Sequence, residues 1–174
     1  DPVSVGATEN VLMAASLADG ITTINNAAKE PEVFDLAKCL IQMGAKIKGA
    51  GTDKIVIEGV QSLSGGEFSV MPDRVETATY LTAVTMTGGK IKIKNSMPES
   101  LTSVIHKLQE SGASISIGKD WVSLTMDKER PTSTSLSTGP YPSFPTDMQA
   151  QFVALNSIAK GNASVSETVF ENRF

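Results

Sequence analysis

Apolar residues recur along this chain in two rhythms. In the first, Ile91 and Ile93 alternate with Lys90, Lys92 and Lys94, and Ile115 and Ile117 alternate with serines. Val122, Leu124 and Met126 likewise follow Trp121 at every second place. Period two predicts half-buried strands. The second rhythm is helical. Leu101, Val104, Ile105 and Leu108 line one side of 98–111, while His106, Lys107, Gln109 and Glu110 mostly face elsewhere. Helix 32–43 has a matching stripe of Val33, Leu36, Ala37, Leu40 and Ile41. Helices of this kind cover a sheet with one face and meet water with the other. Segments 7–19, 73–87 and 147–160 follow neither rhythm and are rich in Ala, Ser, Thr, Asn and Gln on all sides. Thr is a poor helix former, and little charge is present to solvate any face. These three are therefore expected to pack closely on several sides, inside a shell of sheets and amphipathic helices.

The pattern repeats. Gly20, Gly88 and Gly161 each close a small-residue helix and open a strand, at spacings of 68 and 73 residues. Pro31-Glu32 opens a helix that ends at Gly44-Ala45, and Pro98-Glu99 opens one that ends at Gly112-Ala113. Proline in the first turn and glycine past the last is the usual asymmetry of helix ends. Gly49-Ala50-Gly51-Thr52-Asp53 and Gly118-Lys119-Asp120 read as hairpin turns. Each unit thus reads helix, strand, helix, strand, strand, and the expected object is a set of βαβαββ units around a helical interior. Gln61 to Met71 is loop-like and Met71-Pro72 breaks the chain, which places a domain boundary there. A second irregular stretch, Asp127 to Pro145, carries four prolines. Long irregular stretches in compact domains are often functional.

Composition narrows the function. Fifteen basic against nineteen acidic residues give a net charge of −4, with neither sign clustered. That argues against nucleic acid and against an anionic membrane surface as partners. No apolar run approaches the roughly 18 residues of a membrane span, and no signal peptide is visible, so a cytoplasmic location is expected. One cysteine and one histidine exclude a disulfide framework and a Cys-rich metal site. The chain opens on Asp1-Pro2-Val3 and closes inside a patterned segment, so both ends read as internal to something longer.

Two short segments carry candidate chemistry. Ser4-Val5-Gly6-Ala7 enters the first small-residue helix. It is either an ordinary helix start or an anion site built from free N–H groups, with Gly6 allowing close approach. Phe144 to Phe152 contains Thr146-Asp147-Met148-Gln149. Thr146 as N-cap with Gln149 three places on would make a capping box; alternatively Asp147, at the end of the proline-rich stretch, accepts a proton from a substrate hydroxyl. Asp73-Arg74-Val75-Glu76 has the same helix-start form. Cys39 reads as a small apolar residue, His106 as solvated. Gly49-Ala50-Gly51 lies between two strands, which excludes a dinucleotide loop.

Ser4 to Asn10, Met71 to Thr77, Phe144 to Phe152 and Glu167 to Phe174 together resemble the bacterial UDP-N-acetylglucosamine 1-carboxyvinyltransferases, over the whole chain. The resemblance implies an α/β (α+β) fold of repeated βαβαββ units forming inside-out barrel domains of the enolpyruvyl transferase type. Residues 1–71 would be the C-terminal part of the first barrel domain and 72–174 the N-terminal part of the second, with substrates between them. It further implies transfer of the enolpyruvyl group of phosphoenolpyruvate to the sugar 3-hydroxyl, with no metal and no cofactor. Asp147 would contact that hydroxyl as the base, Val169 would line the sugar site, and Val3, Ser4, Val5 and Gly6 would meet the diphosphate. Pro2 stands where some members carry a basic residue. The family's reactive cysteine would lie upstream of Asp1, and Cys39 does not match it. On this reading the isolated chain does not turn over. The alternative is a non-catalytic remnant that only binds a UDP-sugar. A sister enzyme acting on shikimate 3-phosphate ranks behind both, because its motifs differ from these.

Overall fold

The computed structural model describes residues 2–127 and 129–173; Asp1, Lys128 and Phe174, the last a member of the Glu167–Phe174 motif, lie outside them. The chain divides into two compact units, Asp1–Met71 and Pro72–Phe174.

The first unit runs α1 (Val5–Ala15), β1 (Ile21–Asn25), α2 (Pro31–Gln42), β2 (Lys46–Lys48), β3 (Lys54–Glu58). Its sheet order is β1-β3-β2, and β3 pairs antiparallel with both neighbours. Registers Ile24↔Ile55 and Ile47↔Ile57 line up the inward row, and Ile47, Ile55 and Ile57 are buried. They form one core with Leu12 and Ala15 of α1 and Val33, Ala37 and Leu40 of α2. The outward row is mostly polar, with an exposed Lys46–Glu58 pair, but it also carries the exposed Ile21 and the half-buried Val56. In the β2–β3 turn Gly49 has φ +79, and a Cβ there would stand 2.2 Å from the Lys54 carbonyl oxygen. Only glycine fits.

The second unit opens with the same order: α3 (Arg74–Thr87), β4 (Gly89–Lys94), α4 (Thr102–Glu110), β5 (Ser114–Ile117), β6 (Trp121–Met126). Sheet order β4-β6-β5 and its antiparallel pairing copy the first unit. Val122, Leu124 and Met126 are buried, as their alternation predicts. Leu101, Val104, Ile105 and Leu108 are all buried as well. A 3-10 turn, Pro98–Leu101, precedes α4. Gly20, Gly44, Gly88, Gly112 and Gly161 all have positive φ, which is the physical basis of the repeat seen in the sequence.

Four expectations need correction. First, α1 spans 5–15 rather than 7–19 and is buried on one side only, at Thr8, Leu12 and Ala15. Val11, Met13 and Leu17 are exposed, because within its unit the helix meets only α2 and the sheet. Second, α3 packs against the sheet, α4 and α5 (Gln149–Ile158), but Glu76, Tyr80, Ala83 and Thr87 still form an exposed stripe. Its threonines are tolerated because Thr77, Thr79, Thr82, Thr85 and Thr87 each donate a hydroxyl to the carbonyl four residues back. Third, Ile41 and Ile117 are exposed, at the margins of their core faces. Fourth, Thr146 is not an N-cap. Residues Thr146–Met148 form a 3-10 turn after Pro145, α5 (Gln149–Ile158) begins beyond it without a side-chain cap, and Gln149 is buried.

The irregular stretch after β6 is ordered by a parallel partner. β7 (Leu136–Ser137) pairs with β8 (Val165–Ser166), the short form of the strand expected after Gly161. Backbone bonds from Ser133 to Lys160, Leu136 to Ser164 and Thr138 to Ser166 run along the same seam. Phe144 and Phe152 meet edge to face at 4.9 Å, which fixes the start of α5 in the core.

Candidate functional site

Two patches, one in each unit, contain the residues singled out in the sequence. In the first unit Ser4 is the N-cap of α1, and its hydroxyl accepts the Ala7 N–H at 3.2 Å. The first N–H groups of a helix have no partner inside it, so those of Val5 and Gly6 remain for water or a ligand. Thr8 fixes this turn. Its hydroxyl donates to the Ser4 carbonyl at 2.8 Å and accepts the Ala28 N–H at 3.0 Å, tying the helix start to the loop after β1. Val3 and Val5 pack on the core beneath. Gly6 is exposed, and a Cβ there would meet nothing within 4 Å, so the chain's own packing does not call for glycine. Beside the turn lies an open hollow of about 330 Å³, lined by Pro2, Ser4, Ala7, Asn25 and Asn26 among others. Helix α1 contains no basic residue. One turn on, Glu9 has its pKa raised by partial burial and then by Glu32 and Glu30, so what α1 itself offers an anion is its backbone N–H groups.

In the second unit Asp147 is exposed at the 3-10 turn before α5. Its Oδ1 accepts from Arg173 Nη2 at 2.8 Å, and among the described residues nothing is recorded on Oδ2. The same guanidinium donates to the Thr146 hydroxyl and stands 5.1 Å from the Phe170 ring centre. Thr146 in turn donates to Glu167 Oε2 at 2.7 Å. Glu167 Oε1 accepts the N–H groups of Val169 at 2.7 Å and Phe170 at 3.1 Å, and the Thr138 hydroxyl at 2.9 Å. Partial burial pushes the Glu167 pKa upward, but the bonds from Thr146, Val169, Phe170 and Thr138 outweigh it and hold it down at about 2. Val169 is half-buried two residues away. Asp147 and Val169 are thus linked through Glu167, Thr146 and Arg173. The sequence reading singled out Thr146 only as a helix cap and gave Glu167 and Arg173 no role of their own. The bonds that join 167–173 to Thr138, Thr146 and Asp147 span 21 to 29 residues, beyond the reach of any local pattern.

A carboxylate with one open oxygen next to a fixed turn can accept a hydroxyl proton, and a helix start with two open N–H groups can hold phosphate oxygens. Among the described residues no group of three His, Cys, Asp or Glu is placed to hold a metal ion. Cys39 is a half-buried free thiol on α2, and His106 is exposed on α4. No helix among the described residues is long and apolar enough to cross a membrane.

The profile of one protein family, EPSP synthase (3-phosphoshikimate 1-carboxyvinyltransferase), matches residues 1–174. The chain belongs to the EPSP synthase family. Within it, the chain is 58% identical over all 174 residues to the UDP-N-acetylglucosamine 1-carboxyvinyltransferase of Shewanella piezotolerans, covering 42% of that protein. The enzyme of the same name from Shewanella halifaxensis is also 58% identical over the whole chain, which covers 41% of it. The chain therefore spans well under half the length of these EPSP synthase family relatives. Among solved structures, the enolpyruvyl transferase NikO from Streptomyces tendae superposes with a TM-score of 0.84 at 24% identity, over 97% of this chain and 40% of that one. This likeness shows the enolpyruvyl transferase fold that the repeat pattern and the resemblance led us to expect.

Proposed function

We propose that a protein carrying this chain is a carboxyvinyltransferase that moves the enolpyruvyl group of phosphoenolpyruvate to the 3-hydroxyl of UDP-N-acetylglucosamine and releases phosphate. The observation that carries the reading is 58% identity along the entire chain to relatives of that name, with both patches inside the matched length. Such a reaction is the first committed step of peptidoglycan synthesis and belongs in the cytoplasm. The Val3–Gly6 turn takes the diphosphate on its open N–H groups. Asp147 accepts the proton of the 3-hydroxyl as that oxygen adds to C2 of phosphoenolpyruvate, while C3 takes up a proton. Breaking the C2–O bond to phosphate and losing a C3 proton then restores the double bond. Val169 lines the sugar. Residues 1–71 and 72–174 are read as parts of two successive inside-out barrel domains.

The test is a segment swap. Residues 1–174 replace the matching 42% of the Shewanella piezotolerans enzyme, and phosphate release from the two substrates is measured. Activity near that of the parent supports the reading. A folded, inactive swap that also fails to bind the sugar nucleotide overturns it. The short coverage favours a second statement: the 174 residues alone bind the sugar nucleotide without turnover. Phosphate release by the isolated chain would contradict it.

A further inference from the structure

Residues 165–173 are joined to the rest of their unit by the β7–β8 backbone pairing, by Thr168 and Arg173, and by the Glu167 carboxylate. Among these, only the Glu167 carboxylate also closes the 167–170 turn. An ionised carboxylate offers about four acceptor positions and no donor, and Glu167 fills four: Val169 N–H, Phe170 N–H, Thr138 hydroxyl and Thr146 hydroxyl. The two oxygens divide the work. Oε1 closes the turn 167–170 on itself and on Thr138, next to β7, whereas Oε2 reaches Thr146, the residue before Asp147. Thr138 reinforces the first half: its hydroxyl accepts the Thr168 N–H at 2.9 Å, and its carbonyl accepts the Thr168 hydroxyl at 2.6 Å. Thr146 continues the second half, since its oxygen also accepts from Arg173, whose other nitrogen holds Asp147. A turn stabiliser would need only the first set of bonds. The second set joins the turn to a helix start 21 residues earlier.

We propose that Glu167 is a positioning residue of the transferase site: its carboxylate holds the turn carrying Val169 against the helix start carrying Asp147, so that the sugar-lining segment and the proton acceptor keep one fixed relation. This rests on the functional reading above, and the deciding experiment separates the two. Glu167→Ala removes every bond. Glu167→Gln keeps an amide oxygen for Val169, Phe170 and Thr138 but turns a donor toward Thr146, whose hydroxyl then loses its acceptor. Both variants are made in the segment-swap enzyme and in the 174-residue chain.

Amide exchange at Val169 and Phe170 is expected to quicken about tenfold or more in Glu167→Ala, the scale of bonds to a charged acceptor, and to stay near the parent's in Glu167→Gln. In the swap enzyme, Glu167→Ala should raise KM for the sugar nucleotide and lower kcat. Glu167→Gln should restore KM while kcat stays depressed. That split is what positioning predicts and a merely structural role does not. Unchanged exchange in Glu167→Ala overturns the proposal, as does kcat/KM within twofold of the parent in both variants. If the swap enzyme itself is inactive, the functional reading fails, and the exchange measurement alone decides whether Glu167 holds the turn.

Discussion

The two units present the same hollow with different chemistry. In the first it is lined by Ser4, Ala7, Thr8, Val11, Ile24, Asn25 and Asn26, and in the second by Asp73, Glu76, Thr77, Tyr80, Ile93, Lys94 and Asn95. Every pair is separated by the same 69 positions. The backbones agree as well: Asn26 has φ 58° and Asn95 φ 52°. The caps do not agree. Asp73 accepts the N–H groups of both Val75 and Glu76, at 2.8 and 3.0 Å, and Glu76 adds a second carboxylate. Ser4 is neutral and takes only Ala7. The repeat supplies a helix start twice; the cap decides whether it is open to an anion. In the second unit that start is closed, and the candidate chemistry lies instead where the Thr146–Met148 turn and the 165–173 segment meet.

The sharpest way to break this division is Asp147→Asn in the segment-swap enzyme. The rate of phosphate release should fall by about 10²–10⁴, the usual contribution of a positioned general base, while calorimetric affinity for UDP-N-acetylglucosamine stays close to the parent's. A parallel loss of affinity would mean that binding and chemistry are not divided as the two patches suggest.

Acid should act on the two units in opposite directions. Glu167 is depressed from 4.5 to about 2, so the stability it contributes is complete above about 4.5 and is lost as pH falls toward 2. Glu9 is raised, by burial first and then by Glu32 and Glu30, so protonation favours the folded first unit as pH falls. The exposed Lys46–Glu58 pair opposes this, but exposed pairs contribute little. Between pH 4.5 and 2 the ¹H–¹⁵N shifts of Val169 and Phe170 should therefore move toward random-coil positions before those of Thr8 and Ala28. Simultaneous movement would sink the assignment.

What the sequence disclosed follows from what local chemistry determines. Gly20, Gly88 and Gly161 mark the repeat because their positive φ values are needed in each copy, and β6 was readable because one face is fully buried. A helix start near Thr146 was visible in the sequence, but not that Asp147 lies in a 3-10 turn ahead of α5. The capping box was misread because both arrangements use a hydroxyl. Nothing near Thr146 reveals that its partner is Glu167, 21 positions on. The small-residue helices misled for a similar reason: their composition reports close packing, and within each unit α1 and α3 meet that packing on only part of their surface.

A smaller change tests the caps directly. Ser4→Asp keeps a good N-cap but places the second unit's charge in the first. It should weaken UDP-N-acetylglucosamine binding by about tenfold, because the new carboxylate repels the diphosphate. Thermal stability should stay unchanged or rise slightly, since a negative charge suits a helix N-terminus. Unaltered affinity would remove the Val5 and Gly6 amides from the proposed diphosphate site.

The smallest expected effect concerns stability alone. Asp73→Ala uncaps two N–H groups held by a charged acceptor, and should cost about 1–2 kcal/mol. Ser4→Ala uncaps one, held by an exposed hydroxyl, and should cost about 0.5–1 kcal/mol. The probes separate the units, because the chain's one tryptophan, Trp121, lies in β6 of the second. Its fluorescence follows Asp73→Ala during urea unfolding, and exchange at Ala28, whose N–H rests on Thr8 beside the Ser4 cap, follows Ser4→Ala. A larger cost at Ser4 than at Asp73 would mean that the first helix start depends on its cap more than its open N–H groups imply. The contrast between an open and a closed start would then be one of stability and not of ligand access.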